Sequence, residues 1–300
     1  LNGLNVHILV TGATGFIGRH LMQLLMNKGH QVSVVVRNPF HTEAMPWLEK
    51  ARIFTCDLYQ PVDHPFEQFG NPDAVIHLAW AGLPHYKEQF HLSENLPANR
   101  NFLQAMIEGG LRHLIVSGTC YEYGMQSGCL SEDMTAQPVN SYGQAKNALR
   151  KSLQDLQQMH NFTLQWCRLF YMHGEGQNPH SLLAQLDSHI DSGAYAFNMS
   201  GGEQLRDYLP VEEVARRPLG LLDHPQCNGI VNVCSENPIT VLSLVQQHLS
   251  KKKAKINLNI GYYPYPEQEP MAFWGDGRKY RKFCSDEESV HHEHTHLAAH

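Results

Sequence analysis

The chain has 300 residues, a formal net charge of −6 and 42% apolar side chains, enough for a sizeable core in one large α/β domain or two unequal lobes. That charge leaves no basic footprint for nucleic acid, and no apolar run approaches the ~20 residues of a membrane span. The seven cysteines are scattered, odd in number and without a Cys-x2-Cys pair; with no signal peptide visible, a cytoplasmic protein with reduced thiols is expected, without a disulfide framework or zinc site.

In chain order, the branched apolar run Val6 to Val10 predicts a buried parallel strand, and Gly12-Ala13-Thr14-Gly15-Phe16-Ile17-Gly18 predicts the turn into a helix over residues 16–27. Gly12 lets the chain turn sharply, Gly15 puts no side chain between backbone and a pyrophosphate, and Gly18 lets the helix pack close to the sheet. The helix aims its free N–H groups and positive dipole end at phosphates. Gly12, Thr14, Gly15, Phe16, Ile17 and Gly18 are therefore candidate dinucleotide ligands, although the spacing is Gly-x2-Gly-x2-Gly and not the commoner Gly-x-Gly-x2-Gly.

Further strands are predicted at 31–36, 52–55, 74–78, 113–117 and 163–169, and helices at 94–108 and from 141 to about 160. This alternation is that of a doubly wound parallel α/β sheet of Rossmann type, whose right-handed crossovers gather the strands' carboxyl ends along one edge. Beyond Leu169 the alternation loosens, with helical patches at 181–192, 211–222 and 241–250, short strands at 230–234 and 255–260, and loops at 174–179 and 262–266. The expected division is a mainly dinucleotide-binding domain over 1–170, a mainly substrate-binding lobe over 171–285 that returns one strand to the sheet, and a histidine-rich tail over 286–300. The tail's five last histidines have nothing around them to fix ligand geometry, so no metal site is expected.

Tyr142 and Lys146 are four apart on a predicted helix and share a face. A free tyrosine, with a pKa near ~10, is a sluggish acid or base at neutral pH, and a neighbouring ammonium is expected to lower it. The pair alone also suits an ordinary exposed helix face. It gains weight from the preceding strand His113-Leu114-Ile115-Val116-Ser117, which runs into Gly118-Thr119, a hydroxyl placed to steady a substrate oxygen.

These residues resemble the extended short-chain dehydrogenases/reductases, the NAD-dependent epimerase/dehydratase family, and within it the nucleotide-sugar enzymes. The resemblance runs from Val6 to about Phe283. Besides the glycine turn and the Tyr-Lys pair it includes Asp73-Ala74-Val75-Ile76-His77-Leu78-Ala79, Asn95, Ser117-Gly118-Thr119-Cys120-Tyr121-Glu122-Tyr123-Gly124, Arg168-Leu169-Phe170 and Leu205-Arg206-Asp207-Tyr208-Leu209-Pro210-Val211. It implies Thr119, Tyr142 and Lys146 as catalytic residues, with Tyr142 giving a proton to a sugar carbonyl while Lys146 holds the nicotinamide ribose. It implies Leu58, Leu78, Ala79, Trp80, Asn95 and Ser117 as cofactor neighbours, Asp57 near the adenine amine, and Asn178 and Arg206 on the substrate side, the arginine at the diphosphate. A homodimer through a four-helix bundle is the family habit, and Leu149, Leu153 and Leu156 could serve that bundle or the core.

Two departures narrow the reading. The family's 4,6-dehydratases need a carboxylate pair directly after the catalytic threonine, and Cys120-Tyr121 stands there. The epimerase-reductases that use a cysteine–histidine pair carry the cysteine where this chain has Tyr121, so Cys120 is read as a small buried side chain. At the end of the second strand, Arg37 and no acid is found, which favours NADP(H) over NAD(H). The expected activity is NADPH-dependent reduction of the 4-keto group of a nucleotide-activated (deoxy)sugar. The alternatives are a nucleotide-sugar 4-epimerase with tightly bound NAD and, more remotely, a non-catalytic NAD(P)-binding sensor.

Overall fold

The computed structural model describes residues 6–38, 45, 47–267 and 269–284; the histidine-rich tail over 286–300 lies outside them. Its centre is a seven-stranded sheet of β1 (His7–Thr11), β2 (Gln31–Val36), β3 (Arg52–Thr55), β4 (Ala74–His77), β5 (His113–Thr119), β6 (Thr163–Leu169) and β7 (Gly229–Val233). The strands are all parallel and stand in the order β7-β6-β5-β4-β1-β2-β3. The inner strands are buried along nearly their whole length, which is why they are written as continuous apolar runs and not as alternations.

The helices are α1 (Phe16–Asn27), α2 (Leu96–Gly109), α3 (Ser141–Leu156), α4 (Leu182–Asp191), α5 (Val211–Asp223) and α6 (Val241–Lys252), with a short one at each of Pro65–Gln68 and Arg278–Cys284. On one face of the sheet Leu21, Met22 and Leu25 of α1 meet Val214, Ala215 and Leu219 of α5 over Ile8, Val10 and Val34. On the other, Phe102, Leu103 and Met106 of α2 meet Leu149, Leu153 and Leu156 of α3 over Leu9, Val75 and Leu114. The three α3 leucines thus serve the core, at about 1.5–3 kcal/mol for each buried side chain. The outer faces of α2 and α3 expose Arg100, Asn101, Gln144, Lys151 and Asp155.

β4 lies beside β1, so the chain reverses its direction of travel across the sheet between these two strands. A crevice forms there, outside the carboxyl ends, and this position is where open α/β sheets place ligands.

Several boundaries differ from the sequence reading. β5 runs two residues further, to Thr119, because Ser117, Gly118 and Thr119 pair with Cys167, Arg168 and Leu169 of β6. The helix expected from 94 starts at Leu96, after a wide turn over His91–Asn95, with a proline in its first turn. α3 stops at Leu156. Three two-stranded ladders go beyond the sequence reading: Tyr171–His173 with Tyr208–Pro210, Leu205–Arg206 with Ile239–Thr240, and Gly128–Leu130 with Phe273–Gly275. Pieces of two or three residues carry no readable periodicity. A fourth ladder joins Ala196–Asn198 to Asn257–Asn259, shorter than the strand expected at 255–260. A separate small core of Leu183, Leu186, Phe197, Met199, Leu244 and Val245 lies under α4 and α6.

Candidate active site

The crevice at β1 and β4 is shaped by two glycines. Gly12 has φ +75°, and a Cβ there would lie 2.7 Å from the Ala79 nitrogen and 2.8 Å from the Leu78 carbonyl carbon. A Cβ on Gly18 would lie 2.1 Å from the Gly12 oxygen. Only hydrogens fit in either place, so the turn presses against the segment after β4 and α1 presses against the turn. Gly15 caps α1 without a side chain, and the helix's first turn holds no acid. Its leading N–H groups are left facing outward for an anion. Residues 12–18 therefore fit a dinucleotide pyrophosphate on their own geometry.

A neutral lattice underlies this turn. Thr11 Oγ1 and His77 Nδ1 are 2.9 Å apart, His77 Nε2 and Asn99 Oδ1 are 2.7 Å apart, and Asn99 Nδ2 donates to the Asn95 carbonyl at 2.6 Å. The Ala79 amide donates to Thr11 Oγ1, so the Thr11 proton goes to Nδ1 and the imidazole carries its own proton on Nε2. His77 is fully buried; that burial, with the Lys146 charge acting in the same direction, pushes its pKa down to about 3.

At the carboxyl end of β5, Thr119 meets Tyr142. Glu122, wholly buried, accepts from the Thr119 backbone amide at 3.0 Å, while Thr119 Oγ1 accepts from the Tyr121 amide at 3.2 Å. The Thr119 side chain also interacts with the Tyr142 hydroxyl, in the sense that favours the phenolate. Glu122 is fixed in turn by Trp166 Nε1 at 2.8 Å and Arg168 Nε at 3.0 Å. Gly118 is needed because a Cβ there would strike both the Trp166 indole nitrogen and Glu122.

Lys146 is fully buried one helical turn along α3. Its Nζ donates to the Ser117 carbonyl at 2.7 Å and lies 6.0 Å from the centre of the Tyr142 ring. Burial lowers its pKa to about 7, against the pull of the Glu122 charge. The expected lowering of the phenol by the ammonium does not appear. Burial raises the Tyr142 pKa, the nearby Tyr86, Glu122 and Cys120 add to the rise, and the Thr119 hydrogen bond opposes it. The physical reason is distance: the ammonium's hydrogen bond goes to a carbonyl, and the phenol sits among aromatic rings, with Tyr86 at 5.5 Å, His91 at 5.3 Å and Trp80 at 6.0 Å. The Tyr142 amide donates to the Tyr86 carbonyl, tying the 80–91 segment to α3.

The far wall of the cleft is charged. Arg206, 2% exposed, donates through Nη2 to Glu269 at 3.0 Å and through Nη1 to the Leu205 and Met271 carbonyls, with its guanidinium 4.6 Å over Phe273. Tyr121 and Tyr171 hydroxyls donate to the same Glu269 carboxylate at 3.3 and 3.1 Å. Cys120 is buried beside these groups, and burial first, then the Glu269 charge, pushes its thiol up to about 12. It is no acid or base at neutral pH.

The structure thus brings Thr119, Tyr142, Lys146, Ser117 and Trp80 together, and Gly12 with Leu78 and Ala79. Asn95 is buried and donates to the Ala81 carbonyl and toward His91. Arg37 is exposed at the end of β2; Asp57 is exposed after β3, accepting from the Tyr59 amide, with Leu58 half-buried beside it. Asn178 is not gathered in. It is exposed, and its side chain accepts from the His180 amide within its own turn. Sequence reasoning gave no part to Glu122, His91, Tyr171 or Glu269. None of the seven cysteines is in a disulfide, and among the described residues no helix is long and apolar enough to cross a membrane and no His/Cys/Asp/Glu group could hold a metal.

Residues 8–234 match the model of the NAD dependent epimerase/dehydratase family. The chain is 28% identical over 273 residues to the dTDP-6-deoxy-L-talose 4-dehydrogenase (NAD(+)) of Aggregatibacter actinomycetemcomitans, covering 90% of this chain and 99% of that one. Among solved structures it resembles MoeE5 in complex with UDP-glucuronic acid and NAD, at TM-score 0.79 and 24% identity over 93% of this chain and 92% of that one. It also resembles the UDP-glucuronic acid 4-epimerase of Bacillus cereus in complex with UDP-glucuronic acid and NAD, at TM-score 0.80 and 22% identity over 93% of each chain.

Proposed function

The chain belongs to the NAD-dependent epimerase/dehydratase family, and on that premise we propose that it interconverts the 4-keto and 4-hydroxyl forms of a nucleotide-activated deoxysugar, with reduction of the ketone as the working direction. The observation that carries this reading is the meeting of the Thr119 and Tyr142 side chains at the end of β5, with Lys146 one turn along α3. The dTDP-deoxysugar named for the 28% identical dehydrogenase supports the substrate class. Cys120 and Tyr121, in the places where a dehydratase needs two acids, argue against water elimination.

The glycine turn would hold the pyrophosphate and Lys146 the ribose next to the nicotinamide, whose chemistry when bound is hydride transfer at C4. As the ketone gains negative charge, Thr119 steadies its oxygen and Tyr142 passes its proton to it, giving the alcohol; solvent then reprotonates the phenolate. Arg206, which the family resemblance assigns to the substrate diphosphate, would anchor it. Arg37, with no acid beside the end of β2, supports NADP(H), whereas the NAD(+) in the relative's name supports NAD(H); the ratio of kcat/KM for the two decides. Free thiols throughout support a cytoplasmic protein, and a homodimer would use the outer faces of α2 and α3.

The test is absorbance at 340 nm with NADPH, then NADH, and dTDP-, GDP-, UDP- or CDP-linked 4-keto-6-deoxyhexoses. Substrate-dependent loss of absorbance is expected, reduced by about 10²–10⁴-fold in Tyr142→Phe. A second reading, the 4-epimerase, uses the same three residues without net redox; NAD that co-purifies and a 4-epimer formed with no change at 340 nm would establish it instead.

A further inference from the structure

Three observations converge on Trp80. Its indole face lies 4.0 Å from Lys146 Nζ. Its Nε1–H donates to His91 Nδ1 at 3.1 Å, and its ring lies 22° from parallel to that imidazole. His91 is itself clamped: Nδ1 also faces the Asn95 amide at 3.1 Å, and Nε2 donates to the His85 carbonyl at 3.0 Å. Two donors on Nδ1 require the neutral imidazole with its proton on Nε2. The indole is therefore held in one orientation by a hydrogen bond to a ring that is itself clamped.

Lys146 explains the orientation. It is fully buried, and among the described residues no carboxylate lies within ion-pair distance of it and the Ser117 carbonyl is its one hydrogen-bond acceptor. Beyond the pull of the more distant Glu122 charge, a buried ammonium in that position gains from a nearer source of negative potential, and the face of the indole, 4.0 Å away, supplies it.

We propose that Trp80 is a positioning residue that keeps the Lys146 ammonium charged and directed at the reacting end of the site, and that His91 and Asn95 hold the indole in place for that task. The inference rests on the reading of Tyr142 and Lys146 as the proton-transfer pair. The groups facing Lys146 are His77 from β4, Glu122 from the turn after β5, His91 from the turn before α2, and Tyr142 on its own helix. His77 and His91 are both held toward the neutral form by burial and by the Lys146 charge itself, so above their range Lys146 is the neighbour of Trp80 that titrates first.

The experiment has a readout in the cofactor-free protein. Tryptophan emission is followed against pH in wild type and Trp80→Phe, and the difference isolates Trp80 from Trp47, Trp166 and Trp274. The expected result is a step near pH 7, where Lys146 loses its proton, that disappears in Lys146→Met. In turnover, Trp80→Leu should move the alkaline limb of kcat/KM down by about one pH unit, and Trp80→Phe, which keeps a ring face, by less than half of that. Thermal melts establish that each variant is folded. A step that survives in Lys146→Met overturns the proposal, as does an alkaline limb that stays at the wild-type pH in Trp80→Leu. If Tyr142→Phe keeps its turnover, the proton-transfer reading fails instead, and the emission step still decides whether Trp80 senses Lys146.

Discussion

The two walls of the cleft are built from different materials. The wall at β1 and β4 consists of backbone held at van der Waals limits by Gly12 and Gly18, over a lattice of uncharged side chains running from Thr11 through His77 to Asn99 and Asn95. The opposite wall is held by an ion pair, Arg206 with Glu269. The first requires that nothing be added, neither an atom nor a proton. The second requires that nothing be removed, because truncating one partner strands a buried charge. The two walls should therefore fail in different ways.

Adding protons gives the largest expected effect. The folded-state pKa of His77 is depressed to about 3 from the ordinary 6.5, so below pH 6.5 the unfolded chain binds a proton that the folded chain refuses. The stability from this group is complete above pH 6.5 and falls as the pH goes down toward 3, by on the order of 5 kcal/mol in all. Urea unfolding at pH 7, 6, 5 and 4 measures it. His77→Gln keeps partners for Thr11 and Asn99 without titrating, and its stability should fall less steeply than wild type over that window. Parallel curves would mean that His77 is solvated.

Adding an atom comes next. Gly18→Ala places a Cβ 2.1 Å from the Gly12 carbonyl oxygen, backbone against backbone, and either α1 or the turn must move. The expected cost is about 2–3 kcal/mol of stability, with at least about tenfold weaker dinucleotide binding. Calorimetric titration with NADPH and NADH reads the second number, and unchanged binding would remove the glycine turn from the cofactor site.

These contrasts also explain what could be read in advance. β1, its glycine turn and α1 were legible because a buried parallel strand is a continuous apolar run and the steric demand on Gly12 and Gly18 is local. The Tyr142–Lys146 pair was legible because one helical turn separates the two residues. Glu122 sits inside a motif that was quoted whole, yet its work depends on Trp166 and Arg168, more than forty residues away, and no spacing reports a buried ion pair across that distance. Glu269 lies between the prolines of an aperiodic stretch and meets Arg206 across 63 residues, a separation that no spacing reports. The family resemblance implies Trp80 as a cofactor neighbour, while its approach to Lys146 is a fact of packing.

Removing an atom should cost least, and it tests the charged wall. Arg206→Met deletes one ion pair, two hydrogen bonds to carbonyls and the cation over Phe273, but leaves Glu269 with two phenol donors and partial access to water. A loss of about 2 kcal/mol is expected, short of the ~3–5 kcal/mol for a wholly stranded charge. Glu269→Gln keeps an acceptor for Arg206, which also retains its carbonyl and aromatic partners, so about 1 kcal/mol is expected. In a double-mutant cycle the two changes should couple by about 1 kcal/mol, measured by urea unfolding at pH 7. A coupling near zero would mean that Arg206 is held by the Leu205 and Met271 carbonyls and by Phe273 alone. The charged wall would then be, like the opposite one, a matter of shape, and the contrast between the two would collapse.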